Sequence, residues 1–312
     1  MPPKADILGV WKREVEEEPP GVPVDITSQV YWIQAGPYFG DIRIQDVRQP
    51  QWPHDASSWL SINEAQLKNA ARQKAFAGQT QVDDVICTWH RELDYQPAEA
   101  EPDKGSLDFI EDNTRLVEEC VRGEYREVWR REDDGMNGQM ALVLAEEEDA
   151  DGQVRTDRKG FFILSGKYWF YAVDRAQPLP AGLGKLGDMF AHIDDASEAD
   201  VDAEKHRDLI AALDLEAMFG VRVIRKAQTL SFNVLHSTLP WREGSKFFGS
   251  ARGEALKRFH VDRVARLVVE RPQDATAAGF VRRLWRIEHW DGEGAATDAP
   301  DFDPLGAASQ DE

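Results

Sequence analysis

Trp11-Lys12-Arg13-Glu14 is a four-residue word that this chain spells again as Trp89-His90-Arg91-Glu92 and as Trp129-Arg130-Arg131-Glu132. Looser echoes follow at Trp241-Arg242-Glu243 and Trp285-Arg286-Ile287-Glu288. Alternate side chains of a β-strand share a face. Each full copy therefore sends Trp and Arg one way, and the polar residue and Glu the other. A guanidinium against an indole is a cation–π pair worth on the order of 0.5–2 kcal/mol. Several strands carrying the word side by side predict an antiparallel barrel lined with Trp and Arg.

The rest of the chain agrees with an all-β class. Extended runs rich in β-branched and aromatic residues fall at 29–34, 40–44, 82–95, 107–121, 124–131 and 139–145. They lie too close together for crossover helices, so hairpins and an antiparallel sheet are expected. After Glu146-Glu147-Glu148-Asp149-Ala150-Asp151-Gly152 a second series begins, at 159–165, 167–174, 221–235 and 282–290. The acidic run reads either as a long hairpin tip or as a linker. Two helices interrupt, over 61–76 and 197–217. Each opens with a capping-box pattern, Ser61-Ile62-Asn63-Glu64 and Ser197-Glu198-Ala199-Asp200. The expected plan is a barrel over 1–150, a related barrel over 151–290, one accessory helix for each, and a disordered acidic tail over 291–312.

Charge and cysteine bound the function. The chain has 312 residues, 37 basic against 57 acidic, for a net charge of −20. Such a surface repels polyphosphate and anionic lipid, so neither nucleic acid nor a membrane is expected as a partner. Cys87 and Cys120 are too few for a disulfide framework or a zinc cage and read as packing thiols. No apolar stretch approaches the ~20 residues of a membrane span, and the N-terminus shows no signal-peptide pattern, so a cytoplasmic protein is expected. A phosphate-binding glycine loop, a dinucleotide fingerprint and a His-Glu-x-x-His motif are all missing, which predicts no metal and no organic cofactor.

Gly9-Val10-Trp11 on the first strand resembles the Gly-x-Trp signature of lipocalins and other calycins. In that superfamily the Trp closes one end of the barrel beneath a basic residue from a late strand; Arg131 or Arg91 would take that part here. A longer string is similar to a family of two-barrel calycin-like proteins that includes a fungal casein-kinase-interacting protein and bacterial members. It comprises Gly9–Glu14, Tyr31-Trp32-Ile33-Gln34, Phe39-Gly40-Asp41-Ile42-Arg43-Ile44, Phe76-Ala77-Gly78 and Cys87-Thr88-Trp89-His90-Arg91-Glu92. The resemblance covers most of the first half. It implies two lipocalin-like antiparallel barrels and carries no agreed reaction.

The candidate chemistry lies in the same half. Strict alternation puts Thr88, His90, Glu92 and Asp94 on one face, with Cys87, Trp89, Arg91, Leu93 and Tyr95 on the other. Turned inward, His90 with Glu92 is an acid–base pair. With Trp89 and Leu93 in the core instead, His90 faces solvent or the other barrel. Asp41 and Arg43 either form a buried pair that orients a polar ligand or lie on a solvated face. Tyr31, Tyr38, Trp89 and Trp129 offer aromatic walls for a flat ligand, and core packing explains them equally well. The expected site is catalytic His90 and Arg43, with Tyr31, Tyr38, Asp41, Trp89, Arg91 and Trp129 binding the substrate. The expected function is binding of a small aromatic or apolar molecule in a barrel cavity, with cofactor-independent lyase or isomerase chemistry. The alternative is a non-catalytic ligand-binding or interaction module, and a homodimer is left open.

Overall fold

The computed structural model describes residues 5–45, 57–136, 138–190, 203–225, 229–248, 259–262, 265–271 and 280–291. The acidic tail after residue 291 and the Ser197 capping pattern lie outside these residues.

Nine strands make the first sheet: β1 (Gly9–Glu17), β2 (Pro23–Asp25), β3 (Gln29–Ala35), β4 (Tyr38–Ile44), β5 (Lys74–Asp83), β6 (Ile86–Asp94), β7 (Asp103–Ile110), β8 (Arg115–Cys120) and β9 (Arg126–Asp133). From β3 onward they run as a meander. β9 returns to pair with β1, which closes an eight-stranded antiparallel barrel. Two of the words meet in that closure: Arg131 is the register partner of Trp11, and its guanidinium lies 4.1 Å above the indole.

The second sheet holds β10 (Gln139–Glu148), β11 (Val154–Arg155), β12 (Gly160–Ser165), β13 (Tyr168–Val173), β14 (Glu216–Arg225), β15 (Thr229–Ser237), β16 (Lys246–Phe248), β17 (Phe259–Asp262), β18 (Leu267–Glu270) and β19 (Arg282–Trp290). It curls into a half-barrel. β16 and β17 are its two edges, where the first barrel has the single closing strand β7.

The two sheets repeat one another strand for strand. Trp11 sits between Trp32 and Arg131, and Leu142 sits between Phe162 and Ile287. The bulges recur as well. Those at Val10/Trp11 and Arg13/Val15 return at Ala141/Leu142 and Leu144/Glu146. The bulge at Ala77/Gly78 returns at Phe219/Gly220. Both glycines need their bare backbone, because a Cβ would stand 2.0 Å from the carbonyl oxygen of His90 in one case and of Asn233 in the other. A bulge is an inserted residue that bends its strand, so matching bulges bend both sheets at matching places.

Alternation on these strands produces three apolar layers. Trp11, Trp32, Phe39, Phe76, Trp89 and Trp129 fill the barrel. Leu142, Phe162, Trp169, Tyr171, Phe232 and Trp285 fill the curl of the second sheet. Between the sheets, Ile33 and Ile42 pack with Phe161, Ile163 and Phe170. Each such side chain stabilises by roughly 1.5–3 kcal/mol when fully buried. The run Tyr168-Trp169-Phe170-Tyr171 is buried on both faces, so alternate members serve different layers. Gly40 opens the seam: a Cβ there would lie 2.4 Å from the ring of Phe170.

Both helices, α1 (Glu64–Ala70) and α2 (Ala203–Leu213), close over this seam through Leu67 and Leu213. The first starts later than the sequence predicts. Ser61 gives its hydroxyl to the Ser58 carbonyl, and the capping box forms between Asn63 and Gln66 instead. It also stops earlier, since Lys74 onward pairs as β5. The acidic run is a hairpin tip. Glu147 sits between Arg158 and Arg283, and Glu148 meets Arg282, so these two charges are paired within the second sheet. The boundary expected at 150 therefore falls one strand late: β10 already belongs to the second sheet, and the change-over lies between Asp133 and Gln139.

Candidate functional site

The interior of the first barrel is not apolar throughout. Asp41 and Arg43 both point inward from β4, with Arg43 Nε 2.9 Å from Asp41 Oδ1. Arg43 also donates to Glu127 Oε1 at 2.8 Å, and Arg13 meets the same oxygen at 2.6 Å. Burial opposes the charge on Arg43, but Asp41 and Glu127 outweigh it and hold the guanidinium protonated. Burial pushes the Asp41 carboxyl up, against the pull of Arg43. Arg43 further rests over the rings of Phe76 and Trp129, at 5.3 and 5.9 Å.

A second polar group lies toward the start of β7. Here the bulge decides the geometry. Gly78 pairs with Arg91 and Ala77 with Leu93, so Glu92 is the unpaired extra residue on β6. Past it the alternation changes sense. Leu93 and Tyr95 join the layer between the sheets, and Asp94 turns in beside Arg91. The face assignment expected from strict alternation fails beyond Arg91 for this reason. Arg91 then bridges two carboxylates, Asp94 at 3.2 Å and Asp103 at 2.5 Å, with its guanidinium 3.7 Å above the ring of Phe76. Burial pushes Asp94 up to about 6, although Arg91 pulls the other way.

The register equivalence shows what is special here. Asp41 and Arg43 correspond to Tyr171 and Val173, and Arg91 and Asp94 to Val234 and Ser237. One feature is common to both sheets. Trp129 Nε1 donates to Glu118 at 3.2 Å, and Trp285 Nε1 donates to Glu270 at 3.0 Å. Opposite those acids stand Glu127 in one sheet and Arg283 in the other. The first barrel thus carries charge at positions where the same scaffold accepts apolar or neutral residues.

Two spaces adjoin these groups. One lies inside the barrel, measures about 10 Å³, and is lined by residues that include Asp41, Arg43, Asp103 and Glu118. That is the room of a single water. The barrel interior, where a flat ligand was expected, is occupied by its own aromatic side chains. The other is an open cleft of about 180 Å³ at the barrel end, between β6 and the segment 98–103, lined by Trp89, His90, Arg91, Asp94 and Asp103. Trp89 and Asp103 border both spaces.

The structure brings Asp41, Arg43, Trp89, Arg91 and Trp129 into the barrel and leaves three expected residues outside it. His90 is exposed on the outer face and only borders the cleft. Its intended partner Glu92 accepts from Gln79 instead. Tyr31 lies at the seam, stacked on Phe219 and His236 at 4.5 and 5.3 Å. Tyr38 packs against Phe161 there, where burial and Glu288 raise its hydroxyl to about 12. Apolar neighbours on the same strands claim the barrel interior ahead of these residues. Asp94, Asp103, Glu118 and Glu127 were not named among the expected site residues. A glycine inside a strand, Gly78, was the readable sign of the bulge that brings Asp94 in.

Among the described residues no group of three His, Cys, Asp or Glu side chains is arranged to hold a metal ion, and no helix is long and apolar enough to cross a membrane. No family model, no curated protein and no solved structure matches the chain.

Proposed function

We propose that this protein binds a small molecule with an aromatic or apolar body and an oxygen substituent in the cleft at the end of the first barrel. We further propose that it performs cofactor-independent acid–base chemistry there, of the lyase or isomerase type. The observation that carries this reading is the convergence in one cleft of an indole, a guanidinium and a carboxyl that titrates near 6, namely Trp89, Arg91 and Asp94. A group with that pKa exchanges protons readily near neutral pH, which is what a general acid or base requires. Trp89 would meet a flat ring, Arg91 would polarise the oxygen, and Asp94 would move the proton. His90 would act at the rim. Arg43 would hold the interior charge in place from behind. The expected calycin-like kinship and cytoplasmic setting belong to the same proposal. The closed eight-stranded antiparallel barrel and Arg131 over Trp11 support the kinship.

A second reading, a non-catalytic binding or interaction module, is favoured by the state of Arg91. Its guanidinium is already engaged by Asp94, Asp103 and Phe76, which suits a fixed wall as well as a reactive group.

Phenolic and aromatic compounds titrated into the protein are expected to quench tryptophan fluorescence, with the response lost in Trp89→Phe. His90→Ala, an exposed change, is expected to leave stability within about 0.5 kcal/mol and, if the protein is an enzyme, to lower turnover. Binders that still quench fully in Trp89→Phe would place the site elsewhere.

A further inference from the structure

The tyrosine between β8 and β9 carries an imbalance of hydrogens. Tyr125 Oη lies 2.9 Å from Asp103 Oδ1 and 2.9 Å from Glu118 Oε1. A phenol has one hydrogen to donate, and an ionised carboxylate only accepts. One of these two contacts must therefore draw its hydrogen from a carboxyl. Asp103 is the ionised partner, since Arg91 donates to its other oxygen at 2.5 Å.

Glu118 is in the opposite position. It is 3% exposed, and among the described residues its second oxygen accepts from the neutral Trp129 indole alone. The charged groups that act on it are Glu127 on β9, Asp103 on β7 and Arg43 on β4. Burial first, and then the charges of Glu127 and Asp103, press its carboxyl well above the ordinary range. Gly105 makes the space: a Cβ there would stand 2.8 Å from Glu118 Cγ.

We infer that Glu118 stores a proton at neutral pH and, through Tyr125, holds it in line with Asp103 on the wall of the cleft. The chain runs from the Glu118 hydroxyl to the Tyr125 oxygen, and from the Tyr125 hydroxyl to Asp103. For transfer, the Glu118 O–H bond breaks and its proton goes to Tyr125 as Tyr125 releases its own proton to Asp103. Glu118 is left a carboxylate facing the Trp129 N–H and the Tyr125 O–H. Asp103 becomes the acid, able to protonate a basic atom of a bound molecule. No electron changes hands. Glu118 touches no ligand and acts as a positioning and supplying residue. The delivery to a ligand rests on the cleft reading above; the stored proton does not.

Infrared spectroscopy of the full chain in heavy water tests the store without any ligand. A carboxylic-acid C=O band is expected at neutral pH, and Glu118→Gln, which keeps the hydrogen-bonding shape, should remove it. Tyr125→Phe and Asp103→Asn should both shift that band, because each alters the chain, while Asp41→Asn should leave it in place. A protonated-acid band that survives Glu118→Gln, or one indifferent to Tyr125→Phe and Asp103→Asn alike, overturns the inference. Loss of ligand binding with the band intact would count against the cleft and not against the stored proton.

Discussion

The two sheets of this protein share strand order, register and bulges, yet they bury charge at different places: the barrel at Asp41, Arg43, Arg91 and Asp94, the second sheet at Glu147, Glu270 and Arg283. β7 joins β6 to β8 in the first barrel and brings Asp103 to Arg91. In the second sheet its place is taken by the separate edges β16 and β17. Buried ion pairs are weak stabilisers, and well-packed apolar groups often do as well or better. The second sheet has Tyr171 and Val173 where the barrel has Asp41 and Arg43, and Tyr171 accepts there from the buried Arg283. The scaffold therefore does not require charge at these two positions.

The largest expected effect tests whether the common frame is as strict as its register. Trp11→Ala removes an indole that carries Arg131, donates to the Ile7 carbonyl at 3.0 Å and stacks on Trp32 at 6.4 Å. Its cost should be about 3–5 kcal/mol, the range for truncating a large buried aromatic, read from the urea midpoint. Trp11→Leu, which installs the residue found at the equivalent Leu142, should recover a clear part of that loss. Equal losses for both variants would show that the two positions are equivalent in register only.

Next comes the charge itself. Arg43→Ala strands Asp41, leaves Glu127 with Arg13 alone, and should cost about 3–5 kcal/mol. The paired change Asp41→Tyr with Arg43→Val copies the second sheet, and by the same principle it should cost far less than the single change or even stabilise. If the pair is as damaging as the single substitution, the barrel does require charge at these two positions.

The smallest effect is in pH dependence. Asp94 holds its proton up to about 6 in the fold against an ordinary value of 3.8, while its counterpart Ser237 does not titrate. Protonation thus favours the folded state. The contribution is fully present below about 3.8, declines as pH rises and is gone above about 6. By linkage it amounts to on the order of 2–3 kcal/mol. Chemical denaturation of wild type and Asp94→Asn across this window should show the difference between them falling as pH rises. A constant difference would place Asp94 among ordinary surface carboxylates.

Much of the fold was legible along the chain, because hairpin spacing and alternation are local properties. The Trp/Arg word anticipated Arg stacked on indole, and of the two residues that the Gly-x-Trp resemblance offered over Trp11, Arg131 and Arg91, it is Arg131 that lies there. The site was legible in part. Asp41, Arg43, Trp89, Arg91 and Trp129 do line one interior. His90 was assigned by a face that Trp89 and Arg91 claim for the barrel, and the turn of Asp94 inward depends on one extra residue at Glu92.

Composition and periodicity by themselves determined the class: antiparallel strands in two series, a Trp/Arg-lined first barrel, and a strongly acidic chain. Those properties depend on each residue and its near neighbours. Tertiary structure alone decided that the acidic run is a hairpin tip, that the first sheet closes while the second stays open, and that Asp94, Asp103 and Glu118 share one end of the barrel. The reason is physical. Side-chain facing has a period of two, so a single bulge reverses it. Register between distant strands, and the proton balance it imposes on Tyr125, exist only once those strands are paired.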